Sequence, residues 1–203
     1  MARVRISYNA PVVLTFALLA VVVRLLPQDV ILRWFATQPV LDGPSTYLGL
    51  VTHILGHGNW QHLVSNFMLI LLLGPILEER YGSFRLLVMI VVTALVSGLV
   101  DLAMSEVTLG ASGIAFMMIL LASTANIRRG EIPLTFIAVA VIYIGAEIMR
   151  GFERDNVSQL AHILGGATGA VFGFLHARTR GASPKDLQDP LHLGTTRAKS
   201  RVG

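Results

Sequence analysis

The sequence predicts an all-α membrane protein: a bundle of six transmembrane helices with both termini in the cytoplasm. Three observations carry this. Of 203 residues, 54% are hydrophobic and only 14% are Asp, Glu, Lys or Arg. A soluble domain of this size usually carries about 25% charged residues, so the excess apolar surface calls for a lipid solvent. Six apolar stretches then recur along the chain, at 11–26, 62–77, 86–103, 112–125, 132–149 and 159–176. Finally, the basic residues alternate between the two sides. With the N-terminus inside, twelve of the sixteen Lys and Arg fall on the inner side, and only Arg24, Arg33, Arg150 and Arg154 outside. That asymmetry is the positive-inside pattern. It accounts for the basic isoelectric point near 10 without a nucleic-acid partner.

Each stretch reads as a helix because backbone polar groups in lipid must pair within their own segment. Several are shorter than the ~20 residues that span a bilayer comfortably. The first, preceded by Arg3 and Arg5, has the look of a signal peptide. Arg24-Leu25-Leu26-Pro27 stands where a small-residue cleavage site belongs, so an uncleaved span is expected. Residues 1–10 form a cytoplasmic N-terminus and 11–176 one membrane domain. Within it, 27–61 form a long amphipathic loop broken by Pro27, Pro39, Gly43 and Pro44. Short loops are expected at Glu78 to Arg85, Met104 to Ala111, Asn126 to Glu131 and Arg150 to Ser158. The tail, 177–203, is basic, lacks apolar periodicity and reads as disordered. There is no cysteine, which removes disulfides, thiolate nucleophiles and Cys-based metal sites.

This topology sends the second, fourth and sixth spans in the same direction, outside to inside. His62 and Asn66 lie in the first turns of the second, Ser112 opens the fourth, and His162 lies near the start of the sixth. Four polar side chains thereby gather near the outer face, where polar groups in lipid turn toward one another or toward a watery cavity. The fourth span covers about 21 Å at 1.5 Å per residue, against a hydrocarbon core of about 30 Å. Ser112 is therefore expected roughly 10 Å beneath the outer surface. Gly110 to Gly113 then form irregular backbone lining a cavity.

The sixth span carries Gly165, Gly169 and Gly173, with Gly166 and Ala170 beside them. A small-residue face lets another backbone approach closely. His162 shares much of that face and is expected within hydrogen-bond reach of Ser112. A serine hydroxyl needs such a base, being a weak nucleophile at neutral pH. No carboxylate is placed to orient His162, which suggests a Ser–His dyad, with Phe116 stacked on the imidazole. His62, Asn66 and the Ser112 N–H are candidate oxyanion donors. His57 shapes the loop entering the second span.

His57-x4-His62-x3-Asn66, Gly110-x-Ser112-Gly113 and His162-x2-Gly165-x3-Gly169 resemble, in order and spacing, the rhomboid intramembrane serine proteases. Glu78 and Gly82-Ser83 are similar too, and the resemblance covers about residues 10–176. It implies Ser112 as nucleophile, His162 as general base, and His62 and Asn66 in the oxyanion hole. It implies substrates that are transmembrane proteins cleaved in or near their span, in a plasma membrane, with no cofactor. The fifth helix and the loop 150–158 would gate and cap the site. Two positions depart from the family: Phe116 stands where many relatives have tyrosine, and Arg33-Trp34 reverses the Trp-Arg pair of the first loop.

Other readings of the same residues are structural. Ser112 alone suits a helix N-cap. His53, His57 and His62 suggest a metal or proton carrier, but no Cys or H-E-x-x-H element accompanies them. A non-proteolytic adaptor binding transmembrane segments is the remaining alternative. Trp60 and Tyr81 read as interface anchors. Asp101 and Glu147, near outer helix ends, suit a proton or ion path or, better, an interfacial, hydrated or hydrogen-bonded role. Met68, Met89, Met117 and Met118 read as packing. Oligomeric state is not encoded in any of these features.

Overall fold

The computed structural model describes residues 8–124 continuously, and beyond them 134, 137–138, 141–142, 163–164, 166–172 and 175. His162, Gly165, Glu147, the loop 150–158 and the tail lie outside the described residues. The described residues are helical, without strands.

Helix α1, Pro11–Arg24, begins at a proline, whose fixed φ suits a first turn. Ala10 offers no capping side chain. The cap comes from elsewhere: the Glu78 carboxyl group accepts from the Val12 N–H and the Val13 N–H, each at 3.0 Å. Glu78 belongs to α4, Trp60–Tyr81, which starts at an Asn59 cap whose Oδ1 accepts from the His62 N–H at 2.8 Å. The expected break at Glu78 is corrected. The helix continues to Tyr81 and turns at Gly82, with φ of 82°, before α5, Ser83–Met104. Tyr81 is buried rather than an interface anchor, whereas Trp60 is exposed, with the Arg24 guanidinium 5.8 Å from its ring centre. Met68 points outward, while Met89, Met117 and Met118 are core.

Helices α4 and α5 are long and apolar enough to cross a membrane. Helix α1 and helix α6, Ser112–Thr124, are shorter and apolar. Outward faces bearing Leu18, Leu72, Ile76 and Leu99 are exposed, as lipid-facing surfaces are. Inward, Phe16, Phe67, Ile70, Leu77 and Met117 fill one core shared by α1, α4, α5 and α6. Phe16 and Phe67 lie 5.1 Å apart in a tilted pair. Gly74 lets α1 press in, since a Cβ there would meet Val13 Cγ2 at 2.7 Å.

The long first loop is more ordered than expected. It holds α2, Gln28–Trp34, α3, Pro44–Thr52, and a 3-10 turn at His53–Leu55. Helix α3 runs against α5 through Gly98, where a Cβ would strike the Leu50 carbonyl. Gly49 and Gly56 likewise lie directly on the Ala36 and Phe35 carbonyls. The loop is thus packed by backbone contact at glycines. Arg33 sits 6.0 Å over the Trp34 ring, so the reversed pair serves itself locally.

Candidate active site

The segment between α5 and α6 carries the site, and it is tied down at several points. Helix α5 ends at Met104 and is capped by Ser105, with φ of 57°. Asp101, 1% exposed, accepts from the Thr108 hydroxyl. Thr108 exchanges further bonds with Thr37 of the first loop: the Thr108 N–H donates to Thr37 Oγ1 at 2.8 Å, and the Thr37 N–H to the Thr108 carbonyl at 2.9 Å. The Gly110 N–H then donates to the His53 carbonyl at 3.0 Å. Of the roles expected for Asp101, the hydrogen-bonded one is found, and it is buried rather than interfacial.

Gly110 has a φ of 137°, a conformation essentially confined to glycine. A Cβ there would stand 2.6 Å from His62 Cε1, 2.8 Å from His62 Nε2 and 3.7 Å from Asn66 Nδ2. The structure thus brings His62, Asn66 and Gly110 together, with Ser112 opening α6 two residues on. His62 and Asn66 share a face because they are four apart on α4. The N-terminus of α6 adds backbone N–H groups and the positive end of a helix dipole, both favourable to developing negative charge.

His57 lies behind this pair, fully buried. Its Nδ1 is 3.2 Å from the Leu55 carbonyl oxygen, and its Nε2 is 3.3 Å from Asn66 Nδ2. Its ring meets His62 edge-on at 5.1 Å and Phe67 at 5.8 Å. Burial pulls its pKa from 6.5 down to about 4, with His62 and Arg24 adding to the fall and the Leu55 carbonyl opposing it. His57 is therefore neutral at physiological pH. The Nδ1 of His53 lies 3.1 Å from the Gly49 carbonyl oxygen.

Phe116 and Gly113 are buried, one turn and one residue into α6. The helical residues 166–172 pack on this helix. A Cβ on Gly166 would overlap the Phe116 ring, and one on Gly169 would stand 2.5 Å from the Met117 carbonyl oxygen. On the α5 side, Thr168 Oγ1 is 2.8 Å from Thr93 Oγ1. Thr93, Ser97 and Asp101 form a buried polar stripe on α5, four residues apart. A Cβ on Gly113 would lie 3.8 Å from Ser97 Oγ. The polar spacing of this stripe was readable in the sequence. The Thr37–Thr108 bridge was not, since nothing local marks two threonines 71 residues apart as partners.

Fold and site together define a membrane protein, helical and without strands among the described residues, in which Gly110, two residues before the α6 start at Ser112, abuts a His–Asn pair on α4. The rhomboid domain family matches residues 44–179, and the chain belongs to the rhomboid family. It is similar to the chloroplastic Rhomboid-like protein 11 of Arabidopsis thaliana, 27% identical over 150 residues, covering 66% of this chain and 54% of that protein. Rhomboid-related protein 1 of Caenorhabditis elegans is 31% identical over 132 residues, 59% of this chain and 37% of that one. The rhomboid protease GlpG of Haemophilus influenzae is 23% identical over 134 residues, 64% of this chain and 70% of that one. The chain thus spans about half the length of the first relative and little more than a third of the second.

Proposed function

We propose that this chain is an intramembrane serine endopeptidase that cleaves transmembrane protein substrates in or near their membrane span. The observation that carries the reading is the approach of Gly110 to His62 and Asn66, two residues before Ser112. Hydrogen-bond donors and a helix N-terminus converge beside a serine, as acyl transfer requires. His162 of the sixth span is the proposed base. In sequence it lies four residues before Gly166, and Ser112 lies four before Phe116. The contact of Gly166 with Phe116 supports a pairing one turn earlier on both helices.

In the proposed reaction His162 takes the Ser112 proton as Oγ attacks the substrate carbonyl carbon. The oxyanion accepts hydrogen bonds from Asn66, His62 and the Ser112 N–H. The peptide C–N bond breaks, and the leaving amine takes the proton from His162. Water then hydrolyses the acyl ester, with His162 again as base.

The bilayer arrangement belongs to the same proposal: six spans, both termini cytoplasmic, and a site opening to the outer side of a bacterial plasma membrane. The adjacency of the α4 and α6 starts supports two spans running in the same direction. The twelve-to-four distribution of basic residues supports the orientation.

A fluorophosphonate probe tests the chemistry, because Oγ attack on phosphorus with loss of fluoride leaves a stable adduct. Wild-type protein should be labelled, and Ser112→Ala and His162→Ala should not. Cleavage of a single-span reporter should disappear with them. Undiminished labelling and cleavage by folded Ser112→Ala would sink the assignment in favour of a non-proteolytic adaptor.

A further inference from the structure

We infer that His57 is a positioning residue whose unprotonated Nε2 holds the Asn66 amide with an N–H, rather than the carbonyl oxygen, turned to the Ser112 side. The inference rests on the reading of the site given above and deepens it. The Leu55 carbonyl oxygen, 3.2 Å from His57 Nδ1, can only accept, so Nδ1 carries the ring proton. A neutral imidazole protonated there has a lone pair on Nε2. The atom facing that lone pair at 3.3 Å is Asn66 Nδ2. One amide hydrogen therefore goes to His57, and the amide cannot turn over without pointing Oδ1 at the lone pair. The second hydrogen on Nδ2 is left over. Nδ2 is the Asn66 atom closest to a Cβ position on Gly110, at 3.7 Å, so the spare donor lies on the side from which Ser112 follows.

The reverse state shows what His57 prevents. A protonated His57 would present N–H at both nitrogens, and the Asn66 amide would rotate to offer it Oδ1. The amide would then no longer be locked with its donor toward an oxyanion. The surroundings resist that proton. Phe67 closes one side, His62 of α4 meets the ring edge-on, and Arg24 at the end of α1 adds positive charge. His53, on the adjoining turn, spends its Nδ1 on the Gly49 carbonyl.

The test is a double-mutant cycle read by reporter cleavage. Asn66→Ala should lower kcat by about 10²–10³, the usual worth of one oxyanion donor. His57→Ala should lower kcat at least tenfold, with KM within twofold. The double variant should be no slower than Asn66→Ala alone. Additive losses would overturn the inference, because a ring that only fills space slows both backgrounds equally. Ring ¹⁵N NMR of wild-type protein at pH 7 gives a second readout that needs neither activity nor a folded variant. His57 should show a protonated Nδ1 and a bare Nε2; a proton on Nε2 overturns the inference. The two failures separate cleanly. Wild type that takes no fluorophosphonate defeats the protease reading, whereas a labelled enzyme with additive losses defeats only the role of His57.

Discussion

At Gly110 the backbone φ of 137° and the His62 imidazole leave no room for a β-carbon. Gly110→Ala is therefore expected to cost about 1–3 kcal/mol of strain and to push His62 away from the Gly110 backbone. Probe labelling at Ser112 should fall by roughly 10²-fold or more, out of proportion to any change in thermal midpoint. His57 gives a pH signature instead. Its folded pKa of about 4 lies below the unfolded 6.5, so between these values the unfolded chain binds the extra proton. Its contribution is complete above pH 6.5 and shrinks as pH falls toward 4, by on the order of 3 kcal/mol in all. Thermal unfolding of wild type should therefore lose more stability on acidification than unfolding of His57→Gln; identical pH slopes would contradict this. At this scale the sequence was informative where partners sit one helical turn apart, as His62 and Asn66 do. It was silent where a backbone torsion decides, because Gly110 looks like any glycine before a serine.

Among elements, the first four apolar helices lie close to the stretches that hydropathy marks out, at Pro11–Arg24, Trp60–Tyr81, Ser83–Met104 and Ser112–Thr124. Apolar content fixes where a chain enters lipid, but the ends depend on caps. Glu78 illustrates the difference. A charged residue near the end of an apolar run reads as the start of a loop, yet here it is 3% exposed and still helical. Its partners are 65 and 66 residues away, beyond the reach of any local pattern. Helices α2 and α3 escaped notice because seven and nine residues are too few to establish an amphipathic period. Glu78→Gln keeps the shape but replaces one acceptor with an NH2 group, orphaning one N–H of α1. A loss of ~1–3 kcal/mol is expected in thermal unfolding. The probe labelling rate at Ser112 should stay within twofold, since Glu78 and Asn66 are twelve residues apart on α4.

For the molecule as a whole, the site is a meeting of loops braced against one another across the helices. Thr37 in the first loop and Thr108 before the serine share four hydrogen-bond contacts, and His53 holds Gly110. Thr37→Val removes the hydroxyl and leaves the Thr108 N–H without its acceptor. Labelling is expected to slow by about 10–100-fold through misplacement of the serine segment, with global stability falling by only ~1–3 kcal/mol. An unaltered rate would mean that the first loop does not steady the site.

The bond from Glu78 to the start of α1 also sets a timetable for the newly made chain. Val12 leaves the ribosome 66 residues before Glu78 does. At about 5–20 residues per second, the first helix waits roughly 3–13 s for the carboxyl group that closes its end. During that interval two N–H groups have only water or lipid head groups to bond. Helix α1 is thus built well before α4 but finished only when α4 reaches its final turn.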